Sequence, residues 1–186
     1  NMGGFLFRDI VFGPVRSRRF GVSLGINLLP LNTKVCSFNC IYCECGLTPE
    51  CPEPVRQGFF SREKIREVME IKFRELSEKG LIPDNITFAG NGEPTLHPAF
   101  PEIIDDTIAL RNQYFPGSKI TVLSNATTLK NEMIDQALMK ADNNVLKLDA
   151  GTEEYLQLIN NPPGKVSLDN IVSNLRRFNG NLIIQS

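Results

Sequence analysis

The sequence predicts an α/β protein built on a parallel sheet, and three observations carry that expectation. Short β-branched or aromatic runs alternate with longer segments of helical periodicity, the connections are long enough for helical crossovers, and polar or thiol-bearing clusters follow successive strand-like runs. Such alternation implies right-handed βαβ units and a parallel sheet, either open and doubly wound or curled as a barrel. In both cases the residues just after each strand gather at one carboxyl edge, where ligands bind.

Taken in order, "GINLL" (Gly25 to Leu29) is the first short apolar run and leads into a cysteine-rich loop. Ser61 is placed to cap a helix whose Ile65, Val68, Met69, Phe73 and Leu76 share one face, and Gly80 ends it. "NITFAG" (Asn85 to Gly90), bounded by Pro83 and Gly90, reads as a strand, followed by Phe100, Ile103, Ile104, Thr107 and Ile108 at helical spacing. "KITVLS" (Lys119 to Ser124) precedes a helix around Met133, Ile134, Ala137 and Leu138. "NVLKLD" (Asn144 to Asp149) precedes a helical segment from Tyr155 to Ile159, and Leu168, Ile171, Val172, Leu175 and Phe178 form a last amphipathic face. "NLIIQS" closes the chain as a fifth strand. No repeat of fixed period and no low-complexity tract interrupts this order.

At 186 residues the chain suits one domain. Its 41% hydrophobic and 22% charged residues exclude a disordered chain, and no run approaches the ~20 apolar residues of a bilayer span. Arg8 and Asp9 interrupt the apolar residues near the amino terminus, so a secretory signal is not expected and a cytoplasmic location is. Asn1 before Met2 is read as a cloning remnant. Five cysteines, an odd number lying between Cys36 and Cys51, fit metal ligation in a reducing compartment better than a secreted disulfide framework. Net charge is -1, yet residues 1–35 carry Arg8, Arg16, Arg18, Arg19 and Lys34 against Asp9 alone. That segment is either a solvated basic turn or a surface that attracts phosphate or carboxylate.

The chemistry sits after the strand-like runs. Cys36, Cys40 and Cys43 follow the first in a C-x3-C-x2-C spacing, "GNGEPT" (Gly90 to Thr95) follows the second, "SNAT" (Ser124 to Thr127) the third, and "KLDAG", with Lys147 and Asp149, ends the fourth. Three thiols are one fewer than an all-cysteine zinc site or a complete four-cysteine cluster site requires. From the residues alone, a zinc site completed by Cys45 or Cys51 stays open beside a cluster with one free iron.

The cysteine spacing, with an aromatic residue before the last cysteine, resembles the radical S-adenosylmethionine (radical SAM) superfamily, and the order of motifs extends the resemblance through residues 20–186. The resemblance implies a partial parallel (β/α) barrel of five to six strands, with 1–186 as a single core domain, 1–23 as an amino-terminal extension and the sixth strand absent from the chain given. It implies a [4Fe-4S] cluster on Cys36, Cys40 and Cys43 whose open iron chelates S-adenosylmethionine, reductive cleavage of that cofactor to a 5'-deoxyadenosyl radical, and an electron donor such as flavodoxin or ferredoxin. Tyr42 falls at the aromatic position near adenine. Gly90, Asn91, Gly92 and Glu93 match the glycine-rich motif whose acid receives the methionyl ammonium, with Asn91 where many members have glycine. Ser124, Asn125, Lys147 and Asp149 fall where ribose hydroxyls and the carboxylate are bound. Residues 12–30 resemble the opening of a subgroup akin to wybutosine-type transfer RNA modifying enzymes, which implies a transfer RNA substrate.

Each position also has a plainer reading. Glu93 is a solvated loop acid, Asp149 a helix cap, Asn125 a turn stabiliser, and Lys147 a strand residue facing solvent. His97, the only histidine, orders the turn before Pro98, and Cys45 and Cys51 are spare thiols, too few for a second cluster. A non-catalytic metal-binding or scaffold module of the same fold is the alternative to an enzyme.

Overall fold

The structure, a computed structural model, describes residues 4–48 and 58–186. Six strands form one sheet in chain order: β1 (Val11–Ser17), β2 (Gly21–Ile26), β3 (Asn85–Phe88), β4 (Lys119–Ser124), β5 (Asn143–Lys147) and β6 (Ile183–Gln185). Strands β2 to β6 run parallel, and β1 alone pairs antiparallel, with β2. The crossovers carry α1 (Arg62–Glu78), α2 (Phe100–Tyr114), α3 (Glu132–Met139), and the pair α4 (Glu153–Asn160) and α5 (Leu168–Arg176). The sheet is open, with β1 and β6 at its edges. Five parallel strands agree with the sequence reading.

The hairpin was not foreseen. Residues 1–23 were expected to be an extension, but β1 and the start of β2 lie within them and complete one edge of the sheet. Pro14 in β1 reads against a strand, and it is accommodated because β1 is an edge strand whose register shifts between Phe12 and Val15. Gly25 also has a use here: the Phe12 ring lies so close that a Cβ on residue 25 would sit 2.1 Å from it.

Alternation along the strands assigns the two faces. Ile86 and Phe88, Ile120 and Val122, and Leu146 enter one apolar core with Ile65, Met69, Phe73 and Leu76 of α1 and Phe100, Ile103, Ile104 and Leu110 of α2. Each such side chain contributes roughly 1.5–3 kcal/mol on burial. The opposite face is small and polar. Ser23 bonds Thr87 at 2.7 Å, Thr121 donates to Asn85 at 2.8 Å, and Asn143 donates to Thr121 at 3.0 Å. This face lines a cavity of about 700 Å³ with Gly25, Ala89, Leu123, Val145 and Gln185, closed on the hairpin side by Phe7, Phe12, Val15, Arg18 and Arg19. A parallel sheet buried on both faces would be apolar on both; the polar inner face marks a lumen.

The helices begin and end as their sequences dictate. Ser61 caps α1 by accepting from Lys64 N at 3.2 Å, and Gly80, at φ +67°, follows its last turn. Asn131, Thr152 and Ser167 cap α3, α4 and α5 in the same manner. Asp149 is therefore not the cap of α4. Tyr155 and Leu158 of α4 face solvent, so only Leu156 and Asn160 of that helix are buried. Among the described residues no helix is long and apolar enough to cross a membrane.

Candidate functional site at the carboxyl edge of the sheet

The cysteine loop leaves β2 through Leu28 and Leu29, both buried, and is held to the glycine-rich loop by a parallel bridge between Val35 and Gly92. Val35 N–H donates to Asn91 O at 2.9 Å and Glu93 N–H to Val35 O at 3.0 Å. The bridge requires glycine at position 92, where φ is +137° and a Cβ would meet Val35 O at 1.9 Å. Gly90 is held likewise, its missing Cβ leaving space for the Asn27 side chain. The resemblance places both glycines in a cofactor-binding motif; what approaches them here is the chain's own Val35 and Asn27. Phe38, buried in the core, nails the middle of the loop, and the Lys34 ammonium, also buried, closes it by donating to Gly46 O at 2.8 Å.

Cys36, Cys40, Cys43 and Cys45 then line one cavity of about 220 Å³ with Lys34, Gly90, Gly92, Glu93, Ser124, Asn125 and Lys147. Ala89, Leu123 and Gln185 line both this cavity and the larger lumen, so the two are neighbours that share these residues. Among the described residues no three His, Cys, Asp or Glu side chains converge as a single-ion site. Zinc needs four ligands about 2.3 Å from one point, whereas a four-iron cluster takes one thiolate per iron and accepts thiols spread around it. Thiols spread around one cavity are a donor set that a four-iron cluster can take. Cys51 lies outside the described residues. Burial pushes the Cys36 thiol up to about 12, with the Glu93 charge adding and Lys34 opposing. A thiolate there needs positive charge beside it for compensation. Cys45 is raised to about 11 by burial and by Cys43, and it donates to Gly90 O at 3.6 Å.

Glu93 is no solvated loop acid, being only 2% exposed. Its Oε1 accepts from Thr95 N (3.2 Å), Thr95 Oγ1 (2.5 Å) and Ser124 Oγ (2.9 Å), and its Oε2 from Asn125 N at 2.6 Å. Burial pushes its carboxyl above the usual carboxylate range, while these four donors oppose the shift. It ties the ends of β3 and β4 together, and its Oε2, with one donor, keeps acceptor capacity. Asn125 reaches the cysteine loop, donating to Ser37 Oγ at 2.8 Å and to Cys36 Sγ at 3.6 Å, while its own carbonyl fixes the turn at Thr127.

Lys147 does not simply face solvent. It donates to Tyr42 Oη at 2.7 Å, lies 4.9 Å from the centroid of that ring and 3.6 Å from Asp149 Oδ2. Tyr42 is 52% exposed, and its hydroxyl donates to Asp149, with burial and that carboxylate raising its pKa. The sequence reading places Tyr42 at adenine and Lys147 and Asp149 at the ribose hydroxyls and the carboxylate; in the structure the three side chains meet one another, and only Lys147 of them lines the cavity. Asn91 is the departure. Its amide accepts from Phe7 N at 2.8 Å and donates to Phe7 O and Pro30 O, both at 2.9 Å, so its side chain is committed to the chain's own backbone rather than to a ligand. His97 orders its turn as expected, accepting from Ala99 N and donating to Phe60 O.

Two residues escaped the sequence reading. Lys34 was only counted among basic residues, and Asn160 was not singled out, because nothing in "LINNPP" shows that its amide meets Cys40, 120 positions away.

The radical SAM superfamily model matches residues 33–183. The chain belongs to the radical SAM superfamily. A protein named GTPase Obg from Brachyspira hyodysenteriae is 34% identical over 168 residues, covering 90% of this chain and 23% of that protein. A UPF0026 protein of Helicobacter pylori is 33% identical over 175 residues, covering 91% of this chain and 51% of the relative. A UPF0026 protein of Methanocaldococcus jannaschii is 33% identical over 172 residues, covering 92% and 50%. The radical SAM chain thus spans 23% of the first relative and about half of the UPF0026 proteins. Among solved structures, archaeal TYW1 superposes with a TM-score of 0.54 at 16% identity, covering 87% of this chain and 53% of that one. The anSMEcpe structure with bound AdoMet gives 0.58 at 19%, covering 88% and 43%. At these identities the likeness is one of fold, and it includes the partial barrel.

Proposed function

We propose that this radical SAM chain holds a [4Fe-4S] cluster on Cys36, Cys40 and Cys43 and binds S-adenosylmethionine beside it, as an enzyme that starts radical chemistry. The observation that carries the reading is that these three thiols and the buried Glu93 line one cavity at the carboxyl edge of the sheet. The cluster and cofactor, when bound, supply the reductive cleavage that yields a 5'-deoxyadenosyl radical, with the electron drawn from a donor such as flavodoxin or ferredoxin. The residues supply position. Lys34 offsets the charge of the thiolates, and Glu93 offers Oε2 to the methionyl ammonium. Lys147 serves the carboxylate, Ser124 and Asn125 the ribose hydroxyls, and the Tyr42 ring the adenine. Asp149 acts on Tyr42 and Lys147 rather than on the cofactor, and Gly90 and Gly92 form the wall behind it. A cofactor fixed at both ends spends no entropy on finding its reactive pose.

The substrate occupies the lumen, which shares Ala89, Leu123 and Gln185 with the cofactor cavity. Arg18 and Arg19 on its hairpin wall favour an anionic substrate, and transfer RNA is the member of that class acted on by the enzymes whose opening residues 12–30 resemble. Anaerobic reconstitution with iron and sulfide, followed by assay for 5'-deoxyadenosine, tests the reading. Cys36→Ala should take up no complete cluster; a variant that keeps four irons with unchanged absorption defeats the assignment. Transfer RNA affinity that is absent at low salt, or indifferent to R18A with R19A, removes the substrate reading alone.

A further inference from the structure

Asn160 is the last residue of α4 and is 1% exposed. Its Nδ2 donates twice, to Asp149 Oδ2 at 2.5 Å and to Cys40 Sγ at 3.3 Å. Both acceptors being negative when the cysteine is a thiolate, the amide is fixed with its nitrogen toward them, and its buried Oδ1 has no hydrogen-bond partner among the described residues. A side chain that leaves one polar atom orphaned in order to aim the other at a thiol is under a demand that packing alone does not make.

The main chain at the same place has a separate task. The α4 carbonyls of Asn160 and Ile159 accept from Asn39 N at 2.8 Å and Ile41 N at 3.0 Å, so the loop docks on the helix terminus without any help from the amide. Docking and donation to sulfur are thus carried by different atoms of Asn160. The amide also ends a continuous chain of contacts, in which Lys147 donates to Tyr42, Tyr42 to Asp149, and Asn160 joins Asp149 to Cys40.

We propose that Asn160 is a positioning residue that sets the reduction potential of the cluster through its hydrogen bond to the Cys40 thiolate. The inference rests on the cluster reading given above. An added electron raises the negative charge on the ligand sulfurs, and an N–H donor stabilises that charge more in the reduced than in the oxidised state, so the bond raises the potential.

The experiment is a redox titration, followed by electron paramagnetic resonance, of the anaerobically reconstituted chain and of Asn160→Leu, which keeps the branched side-chain shape and the main-chain docking but removes the donor. Iron and sulfide content and the optical spectrum are measured on both. The expected result is an equally loaded variant whose one-electron reduction is disfavoured about tenfold, a shift of about 59 mV to more negative potential. An equally loaded variant with the parent's potential overturns the proposal while leaving the cluster reading intact; a parent chain that takes up no iron and sulfide defeats the cluster reading itself. If N160L fails to load, the chain labelled with 15N-asparagine is examined by pulsed resonance in the reduced state. A nitrogen coupling that survives Asn125→Ala supports the bond, and the absence of any asparagine coupling overturns it.

Discussion

Replacing Glu93 by alanine should destabilise the cofactor-free chain, independently of any effect on binding. Four donors point at the carboxylate, but they are not equally stranded when it goes. The Thr95 hydroxyl can turn to Thr128 Oγ1, already 2.6 Å away, and the Ser124 hydroxyl, which accepts from Ala126 N at 3.1 Å, is free to rotate. The two backbone donors cannot move: Thr95 N, bonded at 3.2 Å, and Asn125 N, bonded at 2.6 Å. An orphaned buried donor costs about 1–3 kcal/mol, so the shorter bond dominates and the total is about 3 kcal/mol. For a chain of this length that is a fall in melting temperature of roughly 6–12 °C. Glu93→Gln separates the charge from the hydrogen bonds. Its amide nitrogen can take the Oε1 side, where both hydroxyls can reverse to accept, leaving only the long Thr95 N contact opposed, at a cost of about 1 kcal/mol. Urea unfolding of the cofactor-free proteins, read by circular dichroism, measures both. If alanine and parent unfold within about 0.5 kcal/mol of each other, the carboxylate does not hold the strand ends and the reasoning from buried donors is wrong.

Other expectations follow from single contacts. Gly92→Ala cannot keep the Val35 bridge, since its Cβ would lie 1.9 Å from Val35 O, so iron retained after reconstitution should fall to a small fraction of the parent's. Asp106 accepts from Arg62 at 2.7 and 2.9 Å and from Arg66 at 3.0 Å, and Arg62 first of all holds its carboxyl below the usual carboxylate range. A depressed carboxyl contributes stability that is complete above its unfolded value of about 4 and lost as pH falls through the native one; Asp106→Asn should flatten that acid limb in stability measured against pH. Burial holds His97 below its ordinary value, so the unfolded chain takes up its proton first. Stability should therefore fall as pH drops through about 6.5, and His97→Gln should remove that part of the slope.

Much of this was legible because the informative contacts repeat with short periods. The α1 face from Ile65 to Leu76, the Ser61 cap and the strand runs "NITF" and "KITV" all announce themselves within a turn or two of chain. The site was legible for a different reason: parallel strands deliver their carboxyl ends to one edge, so Cys36, Glu93, Ser124 and Lys147 meet through topology. What failed was long-range pairing without periodicity. The partner of Asn91 is Phe7, 84 positions away, and that of Asn160 is Cys40. Strand β1 was hidden because an edge strand can carry Pro14 and Arg16 at no cost to a ladder it pairs on one side only.

The restraints on the cysteine loop also order events in time. Val35 waits for residues 91–93, Ser37 for Asn125 and Thr127, and residues 39 and 41 for the end of α4. On a ribosome the thiols emerge first, while the groups that fix them arrive over the following 120 or so residues of synthesis. Until then the loop is tethered only locally, with its thiols exposed to oxidation or to any stray ion. The proposed cluster would meet a wall not yet built in a nascent chain; the cysteine loop has its full set of restraints only once the chain has folded as far as α4.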